Sequence, residues 1–273
     1  MLARIVSGVI LAAGIIAVLI FLPAWVLGAI VLGAAILGAR ELQGMAFKDA
    51  TSLDKWVLWT AVVAAIAWPV VQPHFALYDA PRAMLLGFLI LALARLFRPL
   101  PIEEAARKLG ADALAVLYIG ATFPYIFALR TLNEPYGGYV VILVMAITFG
   151  GDTGGYFAGR FLGRHKLYPV VSPKKTVEGA VGGFAFGVGA AFLCRAILPG
   201  LGGLSMVDCL VMGIVGVALG ICGDLFESLI KRACGVKDSG TLIPGHGGIL
   251  DRVDALLFTG PFCVFYLEAA RPW

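Results

Sequence analysis

The sequence predicts an all-α, polytopic integral membrane protein of about nine transmembrane helices with no soluble domain. Three observations predict it. The 273 residues are 60% hydrophobic and 14% charged, with a mean hydropathy of +0.94, whereas soluble domains carry about 45–50% apolar and about 25% charged residues. Apolar runs of the length that crosses a bilayer as a helix, roughly 17 to 25 residues, recur from end to end. Basic residues crowd into alternate connections between those runs, as membrane insertion demands.

The runs lie at about 3–22, 24–39, 56–72, 82–97, 110–130, 138–158, 178–198, 207–230 and 250–270. The first, flanked by Arg4, is longer than the roughly 7 to 15 residues of a signal-peptide core and has no small-residue cleavage site after it, so it reads as a span. Pro69 interrupts the third and the fourth is short, which leaves their ends the least sharply marked. The connections near 40–55, 98–109, 159–177 and 231–249 are too short for a soluble domain, so 1–273 forms a single membrane domain.

Nine spans put the N-terminus and the connections 2/3, 4/5, 6/7 and 8/9 on one side. That side holds seventeen of the 21 Lys and Arg, and the other only Arg82, Arg130, Arg195 and Arg271. The basic side is expected to be cytoplasmic, with the N-terminus in and the C-terminus out. The net charge of +4 follows from this rule, and no basic patch interleaved with aromatics points to nucleic acid. Cys194, Cys209, Cys222, Cys234 and Cys263 lack C-x-x-C spacing and lie mostly in apolar runs, as small buried thiols do. With His74, His165 and His246 scattered, no zinc site is expected.

Charge that insertion does not explain is where chemistry is expected. Asp152 interrupts the sixth run in GGDTGGYFAGRFLGRHKL, and an ionisable group inside a span marks function by default. Around it Gly151, Gly155, Gly159 and Gly163 form a smooth ridge for close helix packing. The exit, VVSPKKTVEGAVGG, offers hydroxyls at Ser172 and Thr176, ammonium groups at Lys174 and Lys175 suited to phosphate, and Glu178 at the next helix start. A basic loop that only fixes topology would look similar. In GDLFESLIKR, Asp224, Glu227, Ser228 and Lys231 are spaced i, i+3, i+4, i+7 and share one helix face. A Glu227–Lys231 salt bridge would account for two of them but not for Asp224. In PGHGG, Pro244 to Gly248, the glycines around His246 allow positive φ and close backbone approach to phosphate. LDRVDALL follows, with Asp251 and Asp254 on one face and Arg252 between them. Two acids opening one helix opposite an acidic partner suggest an oxygen-ligand site for a hard divalent cation, with capping of the helix start as the alternative.

The string SLIKRACGVKDSGTLIPGHGGILDRVD, Ser228 to Asp254, resembles the signature of the phosphatidate cytidylyltransferase family: S-x-x-K-R, four residues, K-D-x-G, then P-x-H-G-G-x-x-D-R-x-D. DTGGYFAGR and SPKKTVEG are similar to that family's second conserved stretch, with Gly155 where Ala is more usual. Residues 1–130 carry no such motif, so 138–273 reads as the catalytic half.

The resemblance implies transfer of a cytidylyl group from CTP to phosphatidate, giving CDP-diacylglycerol and pyrophosphate, at the cytoplasmic face of a bacterial inner membrane. It implies Mg2+ held by Asp224 and Asp251 with Asp254 in support, a second cation being left open. Lys231 and His246 join Asp224 and Asp251 in the chemistry. Asp152, Ser172, Lys174, Lys175, Thr176, Glu178, Ser228, Arg232, Lys237, Asp238, Gly247, Gly248 and Arg252 surround the substrates. The expected partners are CTP, phosphatidate and membrane lipid; the glycine ridges permit a homodimer. A secondary transporter with an intramembrane acidic site is the alternative, but it would show inverted repeats. The charge here lies overwhelmingly in the second half.

Overall fold

An apolar run in hydrocarbon has to satisfy its backbone groups internally, and the helix does so. Each of the predicted runs is helical in the computed structural model, which describes residues 2–47, 50–71, 79–97, 102–242 and 247–270. The helices are α1 (Leu2–Phe21), α2 (Ala24–Ala46), α3 (Ser52–Val71), α4 (Asp79–Leu96), α5 (Ile102–Ala115), α6 (Ala121–Thr131), α7 (Gly137–Leu162), α8 (Val177–Ile197), α9 (Met206–Ala233) and α10 (Leu250–Ala270). A π-helical turn, Val116–Gly120, joins α5 to α6 in one continuous rod. Pro124 stands inside α6 and cannot donate to the carbonyl of Gly120, so the widened turn ends at the residue whose partner is missing.

The protein is an integral membrane protein. Among the described residues six helices are long and apolar enough to cross a membrane: Ala24–Ala46, Glu104–Thr131, Gly137–Leu162, Val177–Ile197, Met206–Ala233 and Leu250–Ala270. The expected nine is not reached by that measure. α3 and α4 carry charge: Asp54 opens α3 and accepts from the Thr51 backbone N–H at 2.9 Å, and Arg95 closes α4.

Much of the expected connections is structured, three parts of it notably. Residues 40–46 continue α2. Residues 102–109 begin α5, where Glu104 and Lys108, one turn apart, pair at 3.1 Å. Between α7 and α8 the chain forms an antiparallel hairpin, β1 (Lys166–Tyr168) with β2 (Ser172–Thr176), in the register Lys166 opposite Thr176 and Tyr168 opposite Ser172. The fold is otherwise all-α, as expected, and this two-stranded hairpin is its only sheet among the described residues.

The glycine ridge on α7 meets a second one on α8. A Cβ on Gly179 would lie 2.9 Å from the Gly155 carbonyl oxygen, and one on Gly183 would lie 3.0 Å from that of Gly151. The small faces are therefore used inside the chain, bringing the two backbones together. Gly223 does the same for α9 and α10, because a Cβ there would sit 2.5 Å from the Asp254 carbonyl oxygen. Tyr118 of the π turn packs edge-on against Phe226 at 5.1 Å, and Phe226 lies 5.6 Å from Phe258 of α10. The N-terminal helices are bound to one another by a buried ion network, in which Arg95 of α4 pairs with Asp54 of α3 and Asp112 of α5. Gln43 of α2 joins it by donating to the Asp54 carbonyl at 3.2 Å.

Candidate active site

Where the hairpin folds over the ends of α7, α8 and α9, a cavity of about 580 Å³ opens, lined by Asp152 and Arg160 of α7, Lys174, Lys175 and Thr176 of β2, and Asp224 of α9. Lys175 Nζ lies 2.8 Å from Asp224 Oδ2 and 3.5 Å from the Ile221 carbonyl. Ser228, one turn along α9, donates to Asp224 Oδ1 at 3.2 Å. Lys174 is exposed. Arg160 and Tyr156, both absent from the predicted set, also line the cavity, and Arg160 Nη1 donates to Tyr156 Oη at 2.7 Å.

One predicted phosphate contact, Thr176, and one residue expected near the substrates, Glu178, have other employment. Thr176 is extended at φ −128° and its Oγ1 accepts from Gly179 N–H at 3.0 Å, capping α8 while still lining the cavity. Glu178 accepts from Arg164 N–H at 3.0 Å and His165 N–H at 3.2 Å and pairs with His165 Nδ1 at 2.6 Å. It ties the hairpin entry to α8 and is not among the lining residues. Ser172 is half-buried on β2, also outside that lining.

A second cluster spans α9, α10 and the loop between them. Lys231 is buried, with Nζ 2.5 Å from Glu227 Oε2 and 2.6 Å from Asp251 Oδ1. Asp251 Oδ2 accepts from Ser239 N–H at 2.9 Å, Ser239 Oγ at 2.8 Å and Gly248 N–H at 2.9 Å. Gly247 has φ +83°, and a Cβ there would stand 2.5 Å from Asp251 Oδ2, so glycine is required twice over. From α2, Glu41 accepts from Ser239 Oγ at 3.1 Å, Ile249 N–H at 2.8 Å and Leu250 N–H at 3.0 Å. Arg232 is exposed and donates to the Val236 carbonyl at 3.1 Å along its own loop. Lys237 and Asp238 are exposed; Asp238 borders a smaller cavity of about 360 Å³ with Arg40 and Glu41. Pro244 and His246 lie outside the described residues, as does Trp273.

Asp152, Asp224 and Asp254 lie within electrostatic reach of one another, and Glu227 and Asp251 extend the row past Asp254. Lys175, Lys231 and Arg252 face them, so carboxylates outnumber bases. Glu227 Oε1 and Tyr118 Oη are buried with no hydrogen-bond partner among the described residues. Excess negative charge beside an orphaned carboxylate oxygen suits a divalent cation with its bound waters. The predicted trio Asp224, Asp251 and Asp254 is not a ready cage, because no three His, Cys, Asp or Glu side chains among the described residues are grouped to hold a metal. Both Asp251 oxygens are taken by Lys231 and the loop. Asp254 Oδ1 accepts only from the adjacent Ala255 N–H, at 2.7 Å, among the described residues.

The model of the Cytidylyltransferase family matches residues 2–270. The chain is 40% identical over 162 residues to the phosphatidate cytidylyltransferase of Bacillus subtilis, covering 59% of this chain and 58% of that protein. It is 36% identical over 192 residues to that of Brucella suis, covering 70% and 68%, and 40% identical over 155 residues to that of Staphylococcus saprophyticus, covering 54% and 55%. The chain thus spans a little over half to about two thirds of the length of these relatives.

Proposed function

Because the chain belongs to the cytidylyltransferase family, we propose that it is a phosphatidate cytidylyltransferase, joining CTP and phosphatidate into CDP-diacylglycerol with release of pyrophosphate. The observation that carries this reading is the cavity of about 580 Å³ that Lys174, Lys175 and Arg160 line together with Asp152 and Asp224. It pairs phosphate-binding cations with an acidic row at the end of helices apolar enough to lie in lipid. A nucleotide enters such a site from water and a diacyl lipid from the side.

In the reaction a phosphate oxygen of phosphatidate attacks the α-phosphorus of CTP. The new P–O bond forms as the bond to the β-phosphate oxygen breaks, and pyrophosphate leaves with that electron pair. Positioning and charge neutralisation do most of the work in such a transfer. Lys174, Lys175 and Arg160 hold phosphate oxygens. Asp224 and Asp254 would hold a divalent cation, expected to be Mg2+, with Asp152 nearby; when bound it would neutralise the developing phosphate charge. Asp251 fixes Lys231 and the glycine loop beside them. All nine helical runs cross the membrane, with the N-terminus and the α7/α8 and α9/α10 connections in the cytoplasm.

The test is incorporation of cytidine-labelled CTP into chloroform-extractable lipid by purified full-length protein, with and without phosphatidate and with and without chelator. Label in lipid only when both phosphatidate and divalent cation are present supports the proposal. Label that stays water-soluble under all conditions refutes it.

A further inference from the structure

We infer that Glu41, on α2 and outside the motif-bearing half, is a positioning residue that sets Asp251 and Lys231 for the reaction. Its kinetic consequence rests on the proposed cytidylyl transfer, while its structural consequence does not. Three geometric facts lead there. Glu41 Oε1 takes the N–H of Ile249, and Oε2 takes the N–H of Leu250 and the hydroxyl of Ser239, at 2.8, 3.0 and 3.1 Å. Two of these donors are backbone N–H groups at the start of α10, where no intrahelical acceptor exists. The third, Ser239 Oγ, also lies 2.8 Å from Asp251 Oδ2, and Asp251 in turn holds Lys231 at 2.6 Å. Glu41, Ser239, Asp251 and Lys231 therefore form one chain of contacts from the N-terminal helices into the site.

The loop is built to admit this carboxylate. A Cβ on Gly240 would come within 2.8 Å of Glu41 Oε1, and one on Gly248 would collide with Glu41 Oε2 and Ser239 Oγ. Those glycines leave room for the Glu41 head group as well as for any phosphate. α2 itself is held two residues further on, where buried Gln43 enters the Arg95–Asp54–Asp112 network. The otherwise motif-free first half thus has a definite task, to hold Glu41 rigidly against the loop. Each Glu41 oxygen takes one backbone N–H, while the single Ser239 hydroxyl proton is shared with Asp251; an amide therefore cannot substitute, because the NH2 of glutamine would face a backbone donor whichever way it is turned.

The experiment uses the full-length protein in lipid nanodiscs and the Glu41→Gln variant, which preserves size and removes only the second acceptor. Hydrogen exchange should be at least about tenfold faster at the amides of Ile249 and Leu250, with α8 unchanged. Turnover should fall roughly ten- to hundredfold with KM for CTP within about threefold. Unchanged exchange at those two amides overturns the clamp. Faster exchange with turnover within twofold of wild type leaves Glu41 as a structural cap and overturns its positioning role. A wild-type protein with no transfer activity would sink the proposed reaction instead, and the exchange result would then decide the clamp alone.

Discussion

Replacing Lys175 by methionine keeps the apolar stem and removes the charge, and the structure separates its two consequences. The first concerns stability. Lys175 Nζ and Asp224 Oδ2 are 2.8 Å apart, but the side chains are 22% and 34% exposed. A pair with that access to water contributes on the order of 0–1 kcal/mol, so the variant should fold and insert with Tm lowered by at most a few degrees. The second concerns the transition state. A charge-assisted contact to a phosphate oxygen is worth about 1.5–3 kcal/mol, and about 1.4 kcal/mol is a factor of ten in rate. Catalytic efficiency should therefore fall about ten- to hundredfold. Asp224 loses its ammonium neighbour at the same time, so the Mg2+ concentration for half-maximal activity should stay the same or decrease. Steady-state kinetics in CTP across a Mg2+ titration, beside thermal unfolding in the same detergent, reads all three quantities. Wild-type efficiency, or a raised Mg2+ requirement with unchanged KM for CTP, would refute the phosphate role of Lys175.

Lys231→Met should behave differently, because it leaves Glu227, 1% exposed, and Asp251 without their shared cation. Breaking a buried pair in this way costs about 3–5 kcal/mol, and Lys231→Met combined with Glu227→Gln should recover part of the lost Tm. Asp224→Asn should lower activity about a thousandfold or more, and Asp254→Asn should be milder and need more Mg2+, both in folded protein. Asp251→Asn should lower turnover without moving the Mg2+ midpoint; a shifted midpoint would return Asp251 to the ligand set. In a background with all five cysteines replaced, a cysteine at position 237 should resist an impermeant maleimide in intact cells while one added after Trp273 reacts. The reverse pattern would overturn the orientation.

Helix positions were legible because hydropathy and length alone decide what lies in lipid. The ends were less so. Residues 40–46 and 102–109 form helices well but carry charge, and a hydropathy boundary stops before them. The pairing of Glu227 with Lys231 was readable from spacing within one helix. That Asp251 takes the other side of the same ammonium was not, because the contact depends on how a loop closes between α9 and α10. Asp224 and Asp254 stand out as acids among apolar neighbours, but their meeting depends on the packing of α9 on α10, closest at Gly223. Thr176 reads as a phosphate contact by type and Glu178 as an acid near the substrates; the hairpin turns them to a helix cap and a clasp. Glu41 could not be paired from sequence at all, since its Ser239 partner is 198 residues away.

Cytidylyl transfer is tested most directly by the fate of each phosphorus of CTP. Purified full-length protein in phosphatidate-containing vesicles is given CTP labelled at the α-phosphorus or, separately, at the γ-phosphorus, with Mg2+ present. The expected result is α-label in the lipid fraction and γ-label released as pyrophosphate in equal amount, both dependent on phosphatidate and abolished by chelator. Appearance of γ-label in lipid, or release of pyrophosphate without any α-label entering lipid, would contradict it.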